Sequence, residues 1–123
     1  MKLRRYKAED KAELDQWFQA HGMVPTEAAF FPPLGFICPG VAVGFVAQTD
    51  SGVALMDHYL TNPLASYKER QDALDSITEA LLGAASTLGY KRIVALTTAQ
   101  GIYERALRFG FQDIGNFRVL RLG

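Results

Sequence analysis

Asp57 and His58 are the residues on which proton chemistry can be built in this chain. They stand side by side in a stretch with strand character, and either is a base able to deprotonate an amine. Neighbours on a strand point to opposite faces, so the two cannot ligate one metal ion, and no metal site is read. The plainer reading has one of them paired with a neighbour and the other covering a sheet edge. Arg70 carries a guanidinium suited to clamping a phosphate, or it pairs along its own helix with Glu69 or Asp75. Cys38 lies beside a Pro39-Gly40 turn with no His-Asp set pointing to it, which favours a small buried hydrophobe over a nucleophile. Trp17, Phe18, Phe30 and Phe31 could line an acceptor pocket; core filling suits the first two better.

These side chains need elements to hold them. Ser66-Tyr67-Lys68-Glu69 is a capping box, so a helix is expected to begin at Tyr67. Leu74, Ile77, Leu81, Ala84, Ala85 and Leu88 continue it as one apolar stripe, and Gly89 suits its C′ position. Residues 91–98 then read as a short, buried strand. Upstream, residues 2–7 can form a first strand. Asp10 with Glu13 suggests a second capping box, ahead of a helix with Leu14, Trp17, Phe18 and His21 on one face, ended by Gly22. Residues 23–33 are a connector with a helical turn expected near 26–30, and Pro32-Pro33 forbids regular structure there. Residues 34–38, 41–49 and 53–61 read as an antiparallel meander, with Asp50-Ser51-Gly52 as a tight turn. A last helix at 100–109 ends at Gly110. A hairpin of 111–114 and 117–122 about Gly115-Asn116 is expected to close the chain. The order βα(α)βββαβαββ predicts a single domain over residues 1–123, of α/β (α+β) class: a mixed, mostly antiparallel sheet with helices on both faces.

Composition narrows the function. The chain of 123 residues suffices for one domain with a real core. Thirteen basic residues balance thirteen acidic ones, which argues against a nucleic-acid partner. A single cysteine excludes an internal disulfide framework. No apolar run reaches membrane-spanning length and the start lacks a signal-peptide core, so a cytoplasmic protein without membrane attachment is expected.

The element order and three local motifs resemble the GCN5-related N-acetyltransferase (GNAT) superfamily over nearly the whole chain. Residues 102–111, Ile-Tyr-Glu-Arg-Ala-Leu-Arg-Phe-Gly-Phe, resemble the family's helix ending in leucine-glycine-phenylalanine. Tyr59-Leu60-Thr61-Asn62-Pro63 resembles the strand that ends shortly before a proline, and Leu88-Gly89-Tyr90 the helix end before the next strand. The resemblance implies acetyl-CoA in a cleft between the fourth and fifth strands, reached by Leu60 and Thr61. Its pyrophosphate signature falls on Arg70, Gln71, Ala73 and Asp75, with Ala73 and Asp75 where the family has small residues. A carboxylate at Asp75 about 5 Å from a diphosphate, at an effective dielectric near 20, would cost roughly 3 kcal/mol per phosphate charge. Six residues separate Pro63 from Arg70, more than the family's spacing, so the helix is expected to begin a turn early. The resemblance also implies a tyrosine acid at the position of Ala106; Tyr103, one turn earlier, is the residue to take that role.

Two functions follow. One is transfer of an acetyl group from acetyl-CoA to an amine, small molecule or protein, with Asp57 as base, Tyr103 as acid and backbone N–H groups of the fourth strand polarising the thioester. The other is a non-catalytic GNAT-fold interaction or assembly protein that has lost CoA binding. Self-association as a homodimer is compatible with both.

Overall fold

The computed structural model describes residues 2–123, and for Asp57 the backbone only. Its elements are β1 (Arg4–Arg5), α1 (Lys11–Ala20), β2 (Leu34–Cys38), β3 (Ala42–Ala47), β4 (Val53–Thr61), α2 (Tyr67–Thr87), β5 (Arg92–Ala95) and α3 (Gln100–Arg108), with 3-10 turns at Ala8–Asp10 and Ala28–Phe30. The strands form one sheet in the order β1-β2-β3-β4-β5. The first three pairings are antiparallel, and β5 runs parallel to β4 with Leu55 opposite Val94. The expected mixed sheet is therefore present. No described helix is long and apolar enough to cross a membrane.

Alternation along the strands sends side chains to two cores. On one face α1 buries Leu14 and Trp17 against Ile37, Val43 and Phe45. On the other, α2 buries Ala73, Leu74, Ile77 and Leu81 against Ala42, Val46, Ala54 and Met56. Full burial of a residue such as Ile77 stabilises the fold by about 1.5–3 kcal/mol. Helix α2 begins where its capping box dictates. Ser66 Oγ accepts the Glu69 N–H at 3.1 Å, and Glu69 Oε1 accepts the Ser66 N–H at 3.1 Å.

One feature of β4 shapes everything near the candidate site. Phe45 pairs with His58 and Ala47 with Leu55, so two steps along β3 match three along β4. The additional residue is a β-bulge at 56–57, and it re-aims the strand. The β4–β5 ladder stops at the same place, with Met56 opposite Ala95. Beyond it, the rest of β4 has no partner in β5.

Three sequence expectations are corrected. Asp10 and Glu13 form no capping box for α1. A 3-10 turn runs straight into α1, so Asp10 is already helical; it accepts the Lys7 N–H at 2.8 Å and pairs with Arg4 at 2.6 Å, while Glu13 Oε1 accepts the Gly40 N–H at 2.6 Å. Strand β5 is half-buried at the sheet edge rather than enclosed. The closing hairpin does not form among the described residues: residues 111–123 hold no strand, and Ile114, Phe117, Val119, Leu120 and Leu122 stay exposed. A four-residue edge strand offers few ladder bonds to recruit them. The start of that segment is tied to α3 instead, through Phe111 N–H to the Ala106 carbonyl and the Tyr103 hydroxyl to Asp113.

Close approach of α2 to the sheet depends on Gly44. A Cβ there would lie 2.7 Å from Ile77 Cγ2 and 2.7 Å from Tyr59 Cε1. Gly44→Ala is expected to destabilise the fold by about 1–3 kcal/mol through overpacking, read as a lower denaturant midpoint with an unchanged m-value.

Candidate active site

Where β4 and β5 part, a cavity of about 580 Å³ opens. Its floor is the half of β4 that pairs with β3 but not with β5: His58, Tyr59, Leu60 and Thr61. Phe18 and His21 at the end of α1, with Met23 and Thr26 of the connector, form one wall. Tyr67, Arg70, Gln71 and Leu74 from the first two turns of α2 form another, and Ile102 and Arg105 of α3 complete it.

The floor and α1 wall are locked by hydrogen bonds. The Tyr59 hydroxyl donates to Thr78 Oγ1 at 2.7 Å, because the single hydroxyl proton of Thr78 goes to the Leu74 carbonyl at 2.7 Å. Burial pushes the Tyr59 phenol up, keeping it neutral. His21 Nε2 donates to the Thr61 carbonyl at 2.8 Å, a bond that requires the proton on that nitrogen. His58 lies edge-on to Phe31 and Phe45, with ring centroids 5.9 and 6.5 Å away.

The α2–α3 wall is electrostatic. Arg105 is 4% exposed. Its Nε donates to Asp75 Oδ1 at 2.8 Å and its Nη2 to Gln71 Oε1. Arg108 Nη2 reaches the same Asp75 oxygen at 2.9 Å. Partial burial works to raise the Asp75 carboxyl, but the bonds from Arg108 and Arg105 prevail and hold it below the ordinary carboxylate range. Arg70 faces the cavity, and its buried Nε has no hydrogen-bond partner among the described residues. The helical pairings considered for Arg70 are absent, because Glu69 turns back to Ser66 and Asp75 turns to α3.

The sequence-derived site is thus partly assembled. Leu60, Thr61, Arg70 and Gln71 line one cavity. Ala73 does not: it is completely buried against the sheet, since its position on α2 faces the core. Asp75 is no repulsive charge awaiting a diphosphate; two arginines occupy its carboxylate, and its role is to hold Arg105. Tyr103 is turned away. Ile102 and Arg105 face the first cavity, whereas Tyr103 lines a second one of about 450 Å³ between β5, α3 and the C-terminal segment. Its hydroxyl donates to Asp113 at 3.1 Å, which pushes the phenol above its ordinary value. The side chain of Asp57 lies outside the described residues. His21 and Arg105 escape sequence reasoning. His21 reads as one more member of an apolar stripe, and Arg105 enters only as part of the motif over residues 102–111.

No family model matches the chain, and no curated protein sequence matches it. Solved structures do. A point variant of TTHA1254 from Thermus thermophilus superposes with a TM-score of 0.75 at 15% identity, covering 99% of this chain and 97% of that one. The aminoglycoside N-acetyltransferase AAC(6')-Iy, in complex with CoA, gives 0.66 at 11% identity, covering 99% of both. The GNAT family acetyltransferase SP0256 from Streptococcus pneumoniae TIGR4 gives 0.65 at 10% identity, covering 98% of both. This chain has the GNAT fold. Within it, the cavity lies where the parallel pair of strands parts.

The brace through Asp75 carries a pH signature. Its folded-state pKa is depressed, so its stabilisation is fully present above the unfolded carboxylate value of about 3.9 and is lost as pH falls through the folded value. Asp75→Asn is expected to lower stability by about 1–2 kcal/mol at pH 7, the low end for a bond to a charged group because the carboxylate is partly exposed. Melting curves of the two proteins should converge as the pH falls below about 4.

Proposed function

We propose that this protein transfers an acetyl group from acetyl-CoA to an amine. The observation that carries the reading is Arg70, whose buried Nε lacks an acceptor among the described residues while the side chain faces the cavity at the strand split. A buried donor of this kind is satisfied by a ligand oxygen, and a guanidinium suits phosphate or carboxylate.

The fit to CoA rests on side chains rather than backbone. Helix α2 starts at Tyr67, and the Arg70 N–H is already bonded to the Ser66 carbonyl at 3.0 Å, so no open phosphate loop exists from Arg70 to Ala73. Arg70 would hold the phosphate end, with Leu60 and Thr61 along the arm. When bound, acetyl-CoA supplies an activated thioester: the amide N–C bond forms as the C–S bond breaks, and the proton lost by the amine is matched by one gained at sulfur. The chain's own contribution begins at the bulge. The β4 edge beyond Met56 is not taken by β5 and offers N–H groups to an acyl oxygen. Asp57 is the base by position on β4, and His58, in the cavity wall, is the other candidate for the amine proton. Phe31 and Phe45 beside His58 limit water at that point.

The closed phosphate loop favours the second reading, an interaction or assembly protein without CoA. Calorimetric titration with acetyl-CoA decides between them. Saturable binding is expected, weakened about tenfold or more by Arg70→Gln, the loss of one hydrogen bond to a charged group. Absence of binding would leave the second reading. With an acceptor in hand, whichever of Asp57→Asn and His58→Gln removes the base should lower kcat by about 10²–10⁴ while acetyl-CoA affinity stays within a factor of two or so. Equal activity of both variants and the parent would remove the base from β4.

A further inference from the structure

The cavity wall has a charge pattern that speaks to the acceptor. Among its described residues Arg70, Arg105, His21 and His58 are basic types, and none is Asp or Glu. Asp75 lies behind the wall and is shared by Arg105 and Arg108, so that cluster keeps one net positive charge. Arg105 is the most constrained of these groups. It is 4% exposed, and Asp75 and Gln71 fix two nitrogens of its fork. Its Nη1 has no hydrogen-bond partner among the described residues and is not among the sealed, unsatisfied atoms, and Arg105 lines the cavity. A guanidinium held in this way is preorganised for a carboxylate: its own side-chain entropy is already lost in the fold, and Nη1 is left to donate to a ligand oxygen.

We infer, on the basis of the acetyl-transfer reading, that the acceptor is a small amine carrying its own carboxylate, of the amino-acid class, with that carboxylate bound by Arg105. A polyamine or other polycation would bring positive charge against arginines with no described carboxylate in the wall to receive it. An amino acid enters with zero net charge, gives its carboxylate to Arg105 and presents its amine towards the bulge of β4. The volume agrees with a small acceptor. Small-molecule pockets span roughly 300–1,000 Å³, and a cavity of about 580 Å³ that also admits the donor's arm has little room for more than a single residue-sized amine.

The test has two arms. In the first, thiol release from acetyl-CoA is followed with the free amino acids, the matching amino-acid amides, and spermidine. The acids are expected to exceed their amides in kcat/KM by tenfold or more, the difference lying in KM, and spermidine to be the poorest. In the second arm, the same acids and amides are titrated into the protein without acetyl-CoA and followed by ligand-observed NMR. Acids should bind and amides should not. Arg105→Gln should erase the preference for acids in both arms, and Arg105→Lys should restore part of it; melting curves and acetyl-CoA affinity separate this effect from misfolding. Amides matching acids, or spermidine preferred, would overturn the inference while leaving acetyl transfer intact. Binding of acids through Arg105 with neither acetyl-CoA binding nor thiol release would instead retain the carboxylate site and remove the transferase reading. No discrimination in the NMR arm, with or without acetyl-CoA binding, overturns the carboxylate site itself.

Discussion

An additional residue in β4 sets the geometry on which the candidate site depends. A strand in register with both neighbours would carry its ladder to β5 along its full length and leave no room for a ligand. The bulge at 56–57 shifts the pairing with β3 and coincides with the end of the pairing with β5. Backbone groups that regular sheet would consume are thereby left on an open edge. The neighbouring half of β4 stays rigid because β3 still pairs with it and because both faces are clamped by helices, through Leu60 on one side and the Tyr59–Thr78 bond on the other. A cleft with a stiff floor is the result.

The helices answer this opening in different ways. Helix α2 packs hard on the sheet, allowed by the missing side chain at Gly44, and its own capping box fixes where it begins. That early start leaves no open backbone loop from Arg70 to Ala73, while the Arg70 side chain lines the cavity. Helix α3 is different in kind. Its only fully buried residue is Arg105, and it is fastened to α2 by the Asp75–Arg105–Arg108 cluster with Gln71. The wall it forms is therefore electrostatic, more sensitive to pH and salt than the apolar α1 and α2 interfaces.

Charge distribution, rather than net charge, gives the cavity its character. The chain is neutral overall, yet the described wall gathers basic side chains, while the Asp75 carboxylate beside it is taken up by Arg105 and Arg108. Such local asymmetry selects ligands by sign before any shape matching. It also explains why a carboxylate that reads from sequence as an obstacle to an anionic ligand acts in the fold as the support of a cavity-lining cation.

Sequence alone determined the local and periodic features. The Ser66–Glu69 box, the α2 stripe, the meander and the parallel step from β4 to β5 follow from capping chemistry and side-chain alternation, which act over a few residues. Leu60, Thr61, Arg70 and Gln71, which line the cavity, come instead from the family resemblance, whose motifs mark the end of a strand and the start of a helix. Tertiary structure decided the rest. Whether Asp75 repels a ligand or braces Arg105 depends on a helix thirty residues away, and local pattern carries no sign of that pairing. Tyr103 and Arg105 stand two positions apart on α3, and only the docking of that helix settles which of them meets the cleft. The bulge in β4 is likewise invisible in an apolar run, since it arises from how three strands share one register. The apolar alternation after Gly110 shows the converse: pattern alone does not make a strand without an edge long enough to receive it.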